Sequence, residues 1–249
     1  METLIDKLKL LQLKGMAVAL ERQTGNPDST QLSFSDRLRL MIDSEECSRK
    51  DRRYNSRLRA AKLKDPNALV ENFEFSSERE VKKSQVLELS QCEWIRGKKN
   101  LCISGPTGAG KTFLSCALAH RACMEGLSVK YLRVPRLLQE LEYARADGSY
   151  LRKLSLLQKM DLIILDDWGM SALTQAQRQD LFELIEDRYG LRSLIVSSQI
   201  PVEQWFELIG DPNIADAICD RVVNASIKIA IKGDSRRGKE HIDEKGHRS

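Results

Sequence analysis

A chain of 249 residues, 41% of them hydrophobic, can bury a sizeable core as one large domain or as a domain with an appendage. The net charge of +4 selects no class of partner, and no apolar stretch approaches the roughly 18 residues that a membrane helix needs. The opening METLIDKLKLLQLKG carries acids and lacks a signal peptide's continuous apolar segment, so a cytoplasmic protein with no membrane partner is expected. Cys47, Cys92, Cys102, Cys116, Cys123 and Cys219 form no C-x-x-C pair, which fits reduced core thiols. His120, His241 and His247 show no metal-ligand spacing, so no zinc is expected.

Leu4, Leu8 and Leu11 fall at i, i+4 and i+7, the apolar stripe of an amphipathic helix that the turn cluster TGNPDST ends. Ser35 can cap a second helix carrying Leu38, Met41 and Ile42. A third, basic helix is predicted over residues 46–62, with Tyr54, Leu58 and Ala61 as a narrow apolar seam. Arg49, Lys50, Arg52, Arg53, Arg57, Arg59, Lys62 and Lys64 face a single acid, Asp51, a local charge of 8 − 1 = +7. Such a segment is either a footprint for a polyanion or a solvated charged face. KDPNALVENFEF breaks the helical pattern at Asp65-Pro66 and places a domain boundary near residue 68.

Beyond it, helical stretches alternate with the short apolar runs LCIS, SVKYLRV, DLIILDD and SLIVSS, and SIKIAIK adds a strand with the polar alternation of a sheet edge. Buried strands separated by helices predict an α/β fold, a parallel sheet covered on both faces. After the first run comes SGPTGAGKT, which fits G-x-x-x-x-G-K-[ST] between a strand and a helix. The bland alternative is a glycine-rich turn. Gly105, Pro106, Thr107, Gly108, Ala109, Gly110, Lys111, Thr112 and Phe113 are the candidate nucleotide-binding residues. Glycines let successive N–H groups converge on an anion, Lys111 reaches the β- and γ-phosphates of ATP, and the Thr112 hydroxyl holds Mg²⁺.

LIILDD ends a buried strand with Asp166, where a second Mg²⁺ ligand is needed, and Asp167, placed to orient or deprotonate the attacking water. A helix cap is the competing explanation for two such carboxylates. LIVSSQ ends another strand with Ser198 and Gln199, polar groups for the γ-phosphate or the water. Arg221 in AICDRVV suits either a surface salt bridge or a cation acting on a neighbouring subunit's nucleotide.

The order GPTGAGKT, LIILDD, IVSSQ, DRVV and a late arginine in GDSRR resembles an AAA+ ATPase. ADGSYLRKL ahead of LIILDDWG, followed by the stretch from SSQIPVEQWF to IKGDS, is similar to the IstB-type ATPases of bacterial insertion sequences, relatives of DnaC helicase loaders and DnaA initiators. The resemblance extends over nearly the whole chain. It implies a helical DNA-binding and oligomerisation domain over residues 1–68, a P-loop AAA+ domain over 69–235 and a charged, disordered tail over 236–249. It also implies an ATP- and Mg²⁺-dependent ATPase that forms a homo-oligomer on duplex DNA with little regard to sequence. Its partner would be the cognate transposase. Lys111, Asp166 and Asp167 take catalytic places, Ser198 with Gln199 the first sensor, Arg221 the arginine finger, and Arg237 (or Arg236) the second sensor. DNA contacts fall to Arg49, Lys50, Arg52, Arg53, Arg57 and Arg59. A helicase loader is the runner-up. A metabolic P-loop kinase fits less well, since no second substrate pocket is evident.

Overall fold

The computed structural model of the chain describes residues 2–76, 79–224 and 226–233. It divides into two compact units, Met1–Ser56 and Arg57–Ser249.

The first unit holds α1 (Glu2–Leu10), α2 (Lys14–Gly25) and the larger part of α3 (Phe34–Ala61). The one helix expected ahead of TGNPDST is therefore two, because Gln12 adopts φ 62° and turns the chain between them; Leu4 and Leu8 lie on α1 and Leu11 in the turn. Gly15 is buried where α2 approaches α3: a Cβ there would sit 2.4 Å from the Ser44 carbonyl oxygen. The buried Glu45 carboxylate completes this contact, accepting from the N–H groups of Gly15 at 2.7 Å and Met16 at 3.3 Å, the unpaired donors of a helix start. The two helices expected over 35–62 are one, since residues 42–47 contain neither glycine nor proline and Glu45 anchors their middle. Its cap is Ser33 and not Ser35: Ser33 Oγ accepts from the Asp36 N–H at 3.2 Å and donates to the Asp36 carboxylate at 2.6 Å.

The second unit begins inside α3, ahead of the boundary expected near residue 68. Ala61, Leu63, Ala68, Val70 and Phe73 are buried in it, and Lys130 Nζ donates to the Ala60 carbonyl at 3.2 Å. Two short helices, α4 (Lys83–Leu89) and α5 (Glu93–Arg96), lead into β1 (Asn100–Ser104). Then follow α6 (Lys111–Met124), β2 (Val129–Arg133), α7 (Val134–Ala146), α8 (Tyr150–Gln158), β3 (Leu162–Trp168) and α9 (Gln175–Glu186). The unit closes with β4 (Ser193–Ser198), α10 (Trp205–Ile209), α11 (Pro212–Cys219) and β5 (Ser226–Ala230).

The strands form one parallel sheet in the order β2-β3-β4-β1-β5. Side chains alternate across it. Cys102, Ile163, Leu165, Leu194 and Val196 join the core built with α7, α8, α9 and α11, while α6 contacts β2, β3 and β4. β5 lies at an edge with alternating exposure, as its pattern predicts. Because every strand runs the same way, the sheet has a carboxyl end and an amino end of different chemistry.

Candidate active site

The phosphate loop leaves the carboxyl end of β1. Gly105 turns at φ 149° against Ile231, whose carbonyl oxygen lies 2.2 Å from where a Cβ would be, so only glycine fits. Gly110 adopts φ 101° and caps α6, whose first residue is Lys111. The Lys111 ammonium spans the loop, donating to the carbonyls of Gly105 at 2.7 Å and Pro106 at 2.8 Å. At a helix amino terminus this arrangement combines free N–H groups, the positive end of the helix dipole and a flexible cation.

Beneath it, Asp166 is 1% exposed at the end of β3. Its Oδ2 accepts from Thr112 Oγ1 at 2.9 Å and from the Tyr131 hydroxyl at 2.6 Å. Burial pushes this carboxyl up, but hydrogen bonds, those of Tyr131 and Thr112 among them, outweigh it and hold it below the usual carboxylate range. The same contact and burial drive the Tyr131 phenol well above its ordinary value, so it stays a donor. Thr112 and Asp166 thus offer two hard oxygen ligands at one place, the donor set that suits Mg²⁺. A helix cap does not describe Asp166.

Asp167 sits in the left-handed region at φ 59°, where the ladder between β3 and β4 shifts register. Arg133, at the end of β2, donates to its Oδ2 at 2.6 Å. Ser198 is fully buried, and its hydroxyl donates to the Trp168 carbonyl at 2.9 Å and accepts from the Ile200 N–H at 3.0 Å. It braces the turn that follows β4. Gln199, next along, reaches the phosphate loop through Thr107 Oγ1 at 2.6 Å.

Tyr131, Arg133, Phe73 and Arg79 escaped the sequence reading. Phe73 packs 6.3 Å from the Phe113 ring, and Arg79 stands over Phe73 at 5.0 Å, both beside Gly110. A tyrosine and an arginine inside the apolar strand SVKYLRV were the available signal for the first two.

Arg221 occupies the opposite end. It follows α11 in a π-helical turn, and Asn100 at the start of β1 donates to its carbonyl at 3.0 Å. Its guanidinium pairs with Glu186, donates to the Ala217 carbonyl at 3.0 Å, and lies 5.5 Å from the Phe182 ring centroid. In the first unit, Arg49 and Arg52 both pair with Glu45, Lys50 pairs with Glu46, and Arg53 is exposed. Arg57, half-buried in the second unit, lies beside Gly126, and Arg59 is exposed. Two acids one turn upstream therefore moderate the basic window. Arg236, Arg237 and the rest of the tail lie outside the described residues.

A family model described as IstB-like ATP binding protein matches residues 6–244. The insertion sequence ATP-binding protein y4pL of Sinorhizobium fredii is 45% identical over 233 residues, 94% of this chain and 95% of that protein. The ATP-binding protein of insertion sequence IS1162 from Pseudomonas fluorescens is 46% identical over 197 residues, 79% of this chain and 85% of that protein. The crystal structure of the DnaC helicase loader superimposes with TM-score 0.55 at 20% identity, over 67% of this chain and 97% of that one. AMPPCP-bound DnaA from Aquifex aeolicus gives TM-score 0.58 at 20% identity, over 70% of this chain and 52% of that one. At this identity the two structures speak for the fold alone.

Proposed function

The chain belongs to the IstB-like ATP-binding protein family and is an AAA+ ATPase, and from that membership we propose that it assembles with ATP on duplex DNA and assists an insertion sequence's transposase. Two relatives near 45% identity, 45% and 46%, carry the insertion sequence in their names, which supports the transposition role. The observation that carries the assembly is the placement of the phosphate loop and Arg221 at opposite ends of β1. A protomer cannot bring its own Arg221 to its own nucleotide. A neighbour can.

In this reading the loop N–H groups and Lys111 bind the triphosphate, and Thr112 and Asp166 would hold Mg²⁺, which would neutralise phosphate charge. Asp167, turned from Arg133, orients water for attack on the γ-phosphorus, and the bond to the β-γ bridging oxygen breaks to leave ADP and phosphate. Gln199 reports the γ-phosphate to the loop through Thr107. Arg221 of the adjoining copy stabilises the transition-state charge. Arg49, Lys50, Arg52, Arg53, Arg57 and Arg59 follow DNA phosphates without reading bases, with DNA competing against Glu45 and Glu46 at three of them.

The test is ATP hydrolysis by the full chain with and without duplex DNA, followed by capture of the transposase encoded beside it. DNA-stimulated hydrolysis and ATP-dependent capture of the transposase are expected. Capture of a replicative helicase in its place would transfer the protein to the loader class.

A further inference from the structure

Four serines among the described residues are 0% exposed: Ser115, Ser193, Ser197 and Ser198. Three of them spend their hydroxyl on a backbone carbonyl. Ser115 donates to Lys111 at 2.9 Å, Ser193 to Ile95 at 3.4 Å and Ser198 to Trp168 at 2.9 Å. The Ser197 hydroxyl is buried with no hydrogen-bond partner. A hydroxyl left so is costly, since it has given up water and gained nothing in return.

Its place in the sheet says what the hydroxyl faces. Ile164 of β3 pairs with Ile195 of β4, and Asp166 and Ser197 stand two residues further along their strands. Side chains two apart share a face of the sheet. For Asp166 this is the face of α6, from which Thr112 reaches it. Leu194 and Val196 join the core on the other face, so Ser197, one residue on, turns toward α6. It is near enough to be among the groups that draw the Asp166 carboxyl down, yet it makes no hydrogen bond there. Thr112 and Tyr131 meanwhile both donate to one carboxylate oxygen, Oδ2. Asp166 is thus gripped from α6 and β2, and faced from β4 by an uncommitted hydroxyl.

We propose that Ser197 is a positioning residue of the Mg²⁺ site, its hydroxyl reserved for an oxygen that the loaded site brings against it. The inference rests on the assignment of Mg²⁺ to Thr112 and Asp166 and deepens it. A Mg²⁺ ion held by one or two protein oxygens keeps several waters, so oxygen partners beside Asp166 are what its chemistry supplies. A hydroxyl that is unpaired in one state and paired in the other favours the second by the worth of the bond. Ser197 therefore strengthens ion binding without bracing the fold. Its neighbours are committed elsewhere: Ser198 to the turn after β4, and Gln199 to Thr107.

The experiment measures the affinity of the full chain for a fluorescent, non-hydrolysable ATP analogue, once in EDTA and once in Mg²⁺. The ratio of the two affinities is the coupling between ion and nucleotide. Ser197→Ala removes a single oxygen and leaves no group without its partner. Its affinity in EDTA should stay within about twofold of wild type, and its melting temperature in EDTA should be equal or higher. Its coupling should fall by about three- to tenfold, the worth of one hydrogen bond. Asp166→Asn, run beside it, should lose most of the coupling and gives the full size of the effect. Wild-type coupling in Ser197→Ala overturns the proposal. A lower melting temperature or weaker binding in EDTA overturns it too, because the hydroxyl then serves the fold. Failure of the Mg²⁺ assignment looks different: Asp166→Asn then keeps the wild-type coupling.

Discussion

The two ends of one sheet are built from opposite chemistry. At the carboxyl end, glycine turns, Lys111, Thr112 and Asp166 converge within a few residues of strand termini, and Lys111, Thr112, Tyr131 and Asp166 find partners inside the end itself. At the amino end, Lys98, Arg188, Arg192 and Arg221 line a cavity, and among the described residues Asp161 pairs with Arg192 and Glu186 with Arg221. A parallel sheet makes this separation unavoidable, since all five strands run the same way. Under the proposed assembly each end supplies half of a phosphoryl-transfer site, and a single copy would be incomplete.

The largest expected effect comes from breaking the carboxyl end. Lys111→Ala should abolish measurable hydrolysis, with nucleotide titration showing lost affinity, because the loop gives up its one ammonium. Breaking the amino end should look different. Arg221→Ala should lower hydrolysis by assembled protein by about 10³-fold, the low end of what an arginine finger supplies. ATP affinity of the dilute protomer should stay within about twofold. Equal loss of affinity in both variants would erase the distinction between the ends.

A finer contrast lies within the carboxyl end. Gln199→Ala should reduce hydrolysis with an unchanged melting temperature. Ser198→Ala should instead cost about 1–3 kcal/mol of stability, because the Trp168 carbonyl and the Ile200 N–H lose their partner. The reverse pattern would return Ser198 to the chemistry.

The sequence made the carboxyl end legible because its parts are local. A loop between a strand and a helix announces itself through glycine spacing, and LIILDD ends its strand with the acid in view. Which of Ser198 and Gln199 faces the loop was not legible, because β4 ends between them and its ladder with β3 shifts register beside them. Arg188 was invisible for another reason: one of its carbonyl partners, Leu157, lies 31 residues away. In the first unit the helices were legible and their joints were not. Glu45 reads as one more surface acid in DSEEC, yet it caps α2 from α3 and holds Arg49 and Arg52.

That capture sharpens the DNA prediction. Replacing Arg52, Arg53 and Arg57 together by alanine should weaken binding to all duplexes and flatten the salt dependence, with ATP binding untouched. Arg53→Ala should account for more of the change than Arg52→Ala, whose charge Glu45 already neutralises. Affinities measured at several salt concentrations decide it, and equal slopes for triple variant and wild type would assign the helix to a protein partner. The smallest effect concerns thiols. Cys47 is exposed, whereas burial pushes Cys92, Cys102, Cys116 and Cys123 up to about 11 and also raises the half-buried Cys219, so native protein should show one fast-reacting thiol, lost in Cys47→Ser.

Complementation asks whether the two ends meet across copies. Lys111→Ala and Arg221→Ala are each prepared inactive and then mixed at a concentration where wild type hydrolyses ATP. Intact loops from one variant then face intact arginines from the other, and hydrolysis should return to a substantial fraction of the wild-type rate. A mixture as inactive as its two components would mean that loop and arginine never share a nucleotide.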